Sequence, residues 1–218
     1  MNKLLAVLIL GSVGAASALA QTPVWNEIKG ELKIALDAKA DAARGEAAFE
    51  QCVGCHRVDA SGRTSGAYPR LSGQHATVLM KQIADIRSGQ RSNPKMEPFI
   101  GDHVLDAYQI ADVAVYLNGL PIAIANGKGP GTLITKGKEL YDRDCADCHG
   151  AKGQGSAPKF FPMVAAQHYR YLLREATFIR DGDRRNSNPD MVKVIKPYTA
   201  SDLEAVADYM ASLPPPQK

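Results

Sequence analysis

Apolar positions along the chain recur at helical spacing. Val104, Tyr108, Ala111 and Val115 step by 4, 3 and 4 residues, and Leu203, Val206, Met210 and Leu213 step by 3, 4 and 3. Each set predicts one apolar helix face. Trp25, Ile28, Leu32 and Leu36, stepping by 3, 4 and 4, predict a further amphipathic helix in a segment, 21–40, that packs on the protein's own surface or, more sharply, docks to a partner. No convincing strand alternation occurs, so the expected class is all-α. Ser201 and Glu204 have the spacing of a capping box at the start of the last helix. Gly127, Gly129, Pro130 and Gly131 mark 121–131 as a linker. The first twenty residues follow another pattern: Lys3, an apolar run from Leu4 to Leu10, then Ala18-Leu19-Ala20. That is a secretory signal peptide, 1–20, whose removal leaves a chain starting at Gln21. No later run is long enough to span a bilayer, so the mature chain is expected in the periplasm and not membrane-spanning.

The helical pattern occurs twice. Gly45 and Phe49 match Gly137 and Tyr141, and Tyr68-Pro69 matches Phe161-Pro162. Gln74-His75 matches Gln167-His168, and Ile86-Arg87-x-Gly89-x-Arg91 matches Ile179-Arg180-x-Gly182-x-Arg184, at an offset of 93. Ser92-Asn93-Pro94-x-Met96 matches Ser187-Asn188-Pro189-x-Met191 at 95, and Leu120-Pro121 matches Leu213-Pro214 at 93 again. One domain has been duplicated in tandem, giving 41–120 and 132–218. Each copy is about 80 residues, a size that needs a staple such as a metal or a large cofactor.

The cysteines identify the staple. All four lie in Cys52-Val53-Gly54-Cys55-His56 and Cys145-Ala146-Asp147-Cys148-His149. C-x-x-C-H is the attachment sequence of c-type haem. Two thiols spaced by two residues add to the two vinyl groups of one porphyrin, and the next histidine then lies under the iron. A four-cysteine zinc site pairs its motifs more closely and requires no histidine after both. A thioredoxin-like pair would need a βαβ context, and plain disulfides leave the two histidines unexplained. The reading is two covalent haem c groups, held by Cys52, Cys55, Cys145 and Cys148, with His56 and His149 on the irons.

Repeat matching also selects a second axial ligand. Met96 and Met191 are repeated, each in a polar, proline-containing loop where a thioether has little packing reason to be. Met80, Met163 and Met210 match Leu173, Arg70 and Leu117, and read as packing residues. The repeated His75 and His168 are the rival ligands, with a hydrogen-bonding role at a helix start as their structural alternative. Pro69 and Pro162 each follow the proximal histidine by 13 residues. Their carbonyls are candidates to accept its other ring N–H.

Composition adds exclusions. The chain has 26 basic and 23 acidic residues; losing Lys3 with the leader leaves 25 and 23, a net +2 with no long block of like charge. Nucleic acid is therefore not an expected partner. Arg180, Arg184 and Arg185 cluster before the second methionine loop. They read as a solvated face or, more sharply, as a docking site for an acidic redox partner.

With both motifs, the Tyr68-Pro69-Arg70-Leu71-Ser72-Gly73-Gln74 run, the Asn-Pro-x-Met loops and the closing helix, residues 41–216 resemble the cytochrome c4 family. The resemblance implies two tandem class I cytochrome c domains, each wrapped around one haem c. It implies His56, Met96, His149 and Met191 as axial ligands. It also implies one-electron transfer, without enzymatic activity, from donors such as the bc1 complex or a periplasmic dehydrogenase to a terminal oxidase. A dihaem redox enzyme, or a dedicated electron-transfer subunit of a dehydrogenase, is the alternative. Two departures stand out. The second copy reads Phe161-Pro162-Met163-Val164-Ala165-Ala166-Gln167, without the arginine and glycine of the first. Segment 21–40 is additional.

Overall fold

A computed structural model describes residues 25–122 and 125–216. The leader, 1–20, lies outside the described residues. The first half comprises α1 (Gly30–Asp37), α2 (Ala42–Phe49), the one-turn α3 (Val53–His56), α4 (Ala76–Arg87) and α5 (Ala107–Gly119). The second repeats α2 to α5 as α6 (Ile134–Asp144), the one-turn α7 (Ala146–His149), α8 (Tyr169–Asp181) and α10 (Ala200–Ser212), with α9 (Pro189–Ile195) where the first half has a 3-10 turn, Glu97–Phe99, and with no counterpart of α1 among the described residues. Among the described residues the only β feature is an isolated bridge between Ser156 and Phe161.

Each half has its own apolar core. Leu79, Met80, Ile110, Val113 and Leu117 build the first, and Tyr141, Leu172, Leu203, Val206 and Met210 the second. The first helix of each repeat crosses the last at a glycine. A Cβ on Gly45 would stand 2.1 Å from the Asp112 carbonyl oxygen, and one on Gly137 would stand 2.1 Å from that of Ala205. The repeated glycine is therefore a close-approach position. It brings the helix leading into each C-x-x-C-H turn against the closing helix.

Three sequence expectations shift. Tyr108 is 62 % exposed, because α5 turns Ile110, Ala111, Val113, Ala114 and Leu117 inward instead. The capping box of α10 is Thr199 with Asp202, two residues before the Ser201–Glu204 pair. In the leading segment, α1 covers only Gly30–Asp37 and buries Leu32 and Ala35 against α4 and α5 of the first domain. Ile28 remains exposed, and Trp25 leaves that face to stack on Phe161 of the second domain, with centroids 6.1 Å apart and planes 8° apart.

The domains meet through paired contacts related by the repeat. His75 Nε2 lies 2.8 Å from the Gln154 carbonyl, and His168 Nε2 lies 2.8 Å from that of Ser61. Arg70, 1 % exposed, donates to the carbonyls of Ala165 (2.9 Å), Ala166 (3.0 Å) and Ser72, and reaches Met163 Sδ. Burial pulls its pKa down to about 10. The arginine missing from the second repeat is thus matched by the methionine it packs on.

Candidate haem sites

Each C-x-x-C-H motif spans a one-turn helix that ends in a left-handed residue, Arg57 (φ 70°) or Gly150 (φ 80°). That reversal folds the following loop back, so that Gly62 N–H donates to the His56 carbonyl (3.0 Å) and Gly155 N–H to that of His149 (2.7 Å). A Cβ on Gly62 would meet the Pro69 carbonyl oxygen at 2.4 Å, so only glycine lets this loop lie against the proline. The proline carbonyl is then presented to the histidine ring. His56 Nδ1 is 3.3 Å from Pro69 O, and His149 Nδ1 is 2.9 Å from Pro162 O. A carbonyl can only accept, so each ring carries its proton on Nδ1 and a lone pair on Nε2.

Both histidines are buried. Burial pushes their pKa values below the ordinary range, against the opposing effect of the proline carbonyls, and keeps the rings neutral. His56 Nε2 is fully buried with no hydrogen-bond partner. A buried nitrogen left empty costs about 1–3 kcal/mol, so the position suits an atom that accepts its lone pair. Aromatic rings flank both: Tyr68 meets His56 edge-on at 5.9 Å, and Phe161 lies 6.4 Å from His149. The fit to a haem iron is good.

None of the four cysteines is spent in a disulfide, so both pairs are available for haem attachment. Among the described residues no group of three or more His, Cys, Asp or Glu side chains is placed to hold a metal ion. The two Cys pairs therefore do not converge on a four-thiolate zinc centre. Met96 is half-buried at the start of the 3-10 turn Glu97–Phe99, and Met191 is half-buried in the first turn of α9. Asn188 caps that helix by accepting from Asp190 N–H. His75 and His168 instead direct Nε2 at carbonyls of the opposite domain. His168 Nδ1 also accepts from Gly127 N–H at 3.0 Å.

Sequence reasoning assigned no role to Gln74 and Gln167, although both stood in the repeat. Arg184 departs from the solvated-face and docking expectations. Its guanidinium is part-buried between the domains, bonded to Glu175 (3.0 Å), Gln82 (3.0 Å) and Asn186 (3.1 Å). That contradicts both the solvated-face and the docking reading for this residue.

Two helical domains, each closing around a C-x-x-C-H turn whose histidine is tied to a proline carbonyl, define a dihaem c-type cytochrome. The family model for cytochrome c matches residues 42–121 and again 134–214, and the chain belongs to this family. It is 30% identical over 208 residues to the thiosulfate dehydrogenase electron acceptor of Stutzerimonas stutzeri (strain A1501), covering 85% of this chain and 94% of that one. It is 28% identical over 186 residues to cytochrome c4 of Pseudomonas aeruginosa, covering 81% and 90%. The structure of reduced recombinant cytochrome c4 from Pseudomonas stutzeri superposes with a TM-score of 0.72 at 26% identity, covering 80% of this chain and 99% of that one. The protein carries two covalently bound haem c groups and is a dihaem electron carrier.

Proposed function

We propose that His56 with Met96, and His149 with Met191, are the axial pairs, and that the exported protein relays single electrons in the periplasm. Its donor would be a bc1 complex or a periplasmic dehydrogenase, and its acceptor a terminal oxidase. Bound haem supplies the one-electron ferric/ferrous couple. The chain would hold each group through a proximal histidine whose tautomer is fixed by Pro69 or Pro162, with the His56 Nε2 lone pair buried, and through a methionine thioether. Two protein ligands leave no coordination site for a substrate, which argues against an enzyme. The observation that carries this reading is the buried, unpartnered His56 Nε2 beside a ring nitrogen tied to Pro69. Among the described residues no helix is long and apolar enough to cross a membrane.

A second reading, a dedicated acceptor for one dehydrogenase, is favoured by the likeness to the Stutzerimonas protein of that description. It changes the partner and leaves the chemistry as above.

The ligand assignment is tested by Met96→His and Met191→His in the holoprotein. Each should lower the potential of one haem only and remove about half of the methionine-to-ferric-iron band, since methionine ligation favours the reduced state. An unchanged spectrum and potential in both variants would show that other residues occupy these positions.

A further inference from the structure

The proline carbonyls that receive the proximal histidines belong to peptide groups whose N–H sits on the next residue. Arg70 N–H donates to Gln167 Oε1 at 2.9 Å, and Gln167 Nε2 donates to the Arg70 carbonyl at 2.9 Å. In the other direction, Met163 N–H donates to Gln74 Oε1 at 2.9 Å, and Gln74 Nε2 donates to the Met163 carbonyl at 3.0 Å. The bonds cross. Gln74, in the first domain, grips the peptide that faces His149, and Gln167, in the second, grips the peptide that faces His56.

Both glutamines are buried and held. Each Oε1 also accepts the N–H of the residue that follows it, His75 or His168, at 3.0 Å. The orientation of each amide is fixed, because a backbone N–H can only donate and so must face the side-chain oxygen. Three groups thus stand in line at each site: an imidazole N–H, a peptide group accepting at its oxygen and donating at its nitrogen, and an amide oxygen from the opposite domain.

A peptide that donates through its N–H becomes a stronger acceptor at its C=O. A stronger acceptor on Nδ1–H makes the imidazole a more basic ligand, and the more electron-rich ligand favours ferric over ferrous iron. We propose that Gln74 and Gln167 are crossed positioning residues: each sets the proximal histidine, and through it the reduction potential, of the haem in the opposite domain. The proposal rests on His56 and His149 being the proximal ligands. Each domain thereby carries part of the tuning of its neighbour's redox centre, over sequence separations of 89 and 97 residues.

The test uses holoprotein carrying Gln74→Met or Gln167→Met, which keep side-chain length and remove the amide. Nitrogen-15 histidine NMR of the reduced protein reads both layers separately. Ligation shows as strongly upfield-shifted ring carbon-bound protons of His56 and His149; ordinary shifts would overturn the ligand reading itself. With ligation present, Gln74→Met should move the Nδ1–H of His149 upfield and leave His56 in place, and Gln167→Met should do the reverse. At a fixed solution potential, the oxidised-to-reduced ratio of the opposite haem should fall roughly two- to tenfold, with each haem followed through its own NMR lines. Thr77→Val serves as a control. It removes a neutral interdomain bond to the Ala157 carbonyl (2.7 Å) that lies off this line, and should move neither Nδ1–H. A shift confined to the substituted domain, equal shifts of both haems, no shift at all, or the same His149 shift from Thr77→Val would each overturn the relay.

Discussion

Arg57 and Gly150 occupy the same place, directly after each proximal histidine, with φ 70° and ψ 160° in the first domain and φ 80° and ψ 152° in the second. Glycine adopts this region freely, whereas a side chain there costs about 1–3 kcal/mol. Exposed Arg57 has only a 3.9 Å approach to Asp59 in return, and such surface pairs are worth little. Arg57→Gly should therefore stabilise the holoprotein by about 1 kcal/mol after the added unfolded-state entropy of glycine, as read by denaturant titration. The two C-x-x-C-H turns were legible in the sequence because their chemistry is unusual for its surroundings and occurs twice, and the proposal for Met96 and Met191 draws on the same repetition. Arg70, Gln74 and Gln167 were visible as letters of a repeat, yet their partners lie 89 to 97 residues away in the other domain. No local pattern encodes such a pairing. Trp25 was visible as an apolar position and was assigned to the wrong face, since its partner Phe161 is also in the other domain.

At the scale of elements, the crossing of first and last helices sets where each C-x-x-C-H turn begins. Gly45 and Gly137 sit at those crossings, and an added methyl would also come within 2.8 Å of the Tyr116 or Tyr209 Cβ. Alanine improves intrinsic helix propensity by about 1 kcal/mol, and overpacking against backbone opposes it by about 1–3 kcal/mol or more. The clash distance of 2.1 Å to a carbonyl oxygen decides the sign. Gly45→Ala and Gly137→Ala should each destabilise the protein by about 2 kcal/mol and lower the thermal midpoint of the domain that carries it. Gain of stability in either variant would mean that the helices can separate without loss. Helix positions were readable from the 3.6-residue period, and their starts less so. Thr199–Asp202 and Ser201–Glu204 are overlapping candidate boxes, and only the first is used. The upstream choice places Asp202 2.8 Å from Lys136 of α6, a tertiary contact outside the reach of a local reading.

At the scale of the whole molecule, the repeat-related arginines Arg91 and Arg184 are kept along one edge of the domain interface and the symmetry breaks in charge, Gln82 standing where the second copy has Glu175. There Arg91 and Arg184 both bind Glu175 Oε2, at 2.9 and 3.0 Å, and both reach Gln82, while Asn186 bonds Asp85 at 2.7 Å and Lys81 pairs with Asp85. Burial presses the Arg184 pKa down and Arg91 adds to that, while Glu175 beside it acts in the opposite direction. Arg185, by contrast, is exposed and makes only a 3.5 Å contact to the Gly89 carbonyl. The two neighbouring arginines should therefore behave differently. Arg184→Glu places a second carboxylate against Glu175 in a buried site and should weaken domain docking by about 3–5 kcal/mol. The expected observations are a larger radius of gyration in solution scattering and two separate thermal transitions. Arg185→Glu should change stability by less than about 0.5 kcal/mol. The same contrast separates docking from architecture in electron-transfer kinetics. A rate deficit in Arg184→Glu should persist as salt rises, because it reflects an altered arrangement of the two haem domains. A deficit in Arg185→Glu should close with added salt, as for an exposed charge steering a partner. If Arg184→Glu keeps a single transition and the native radius of gyration, the edge network does not hold the domains together.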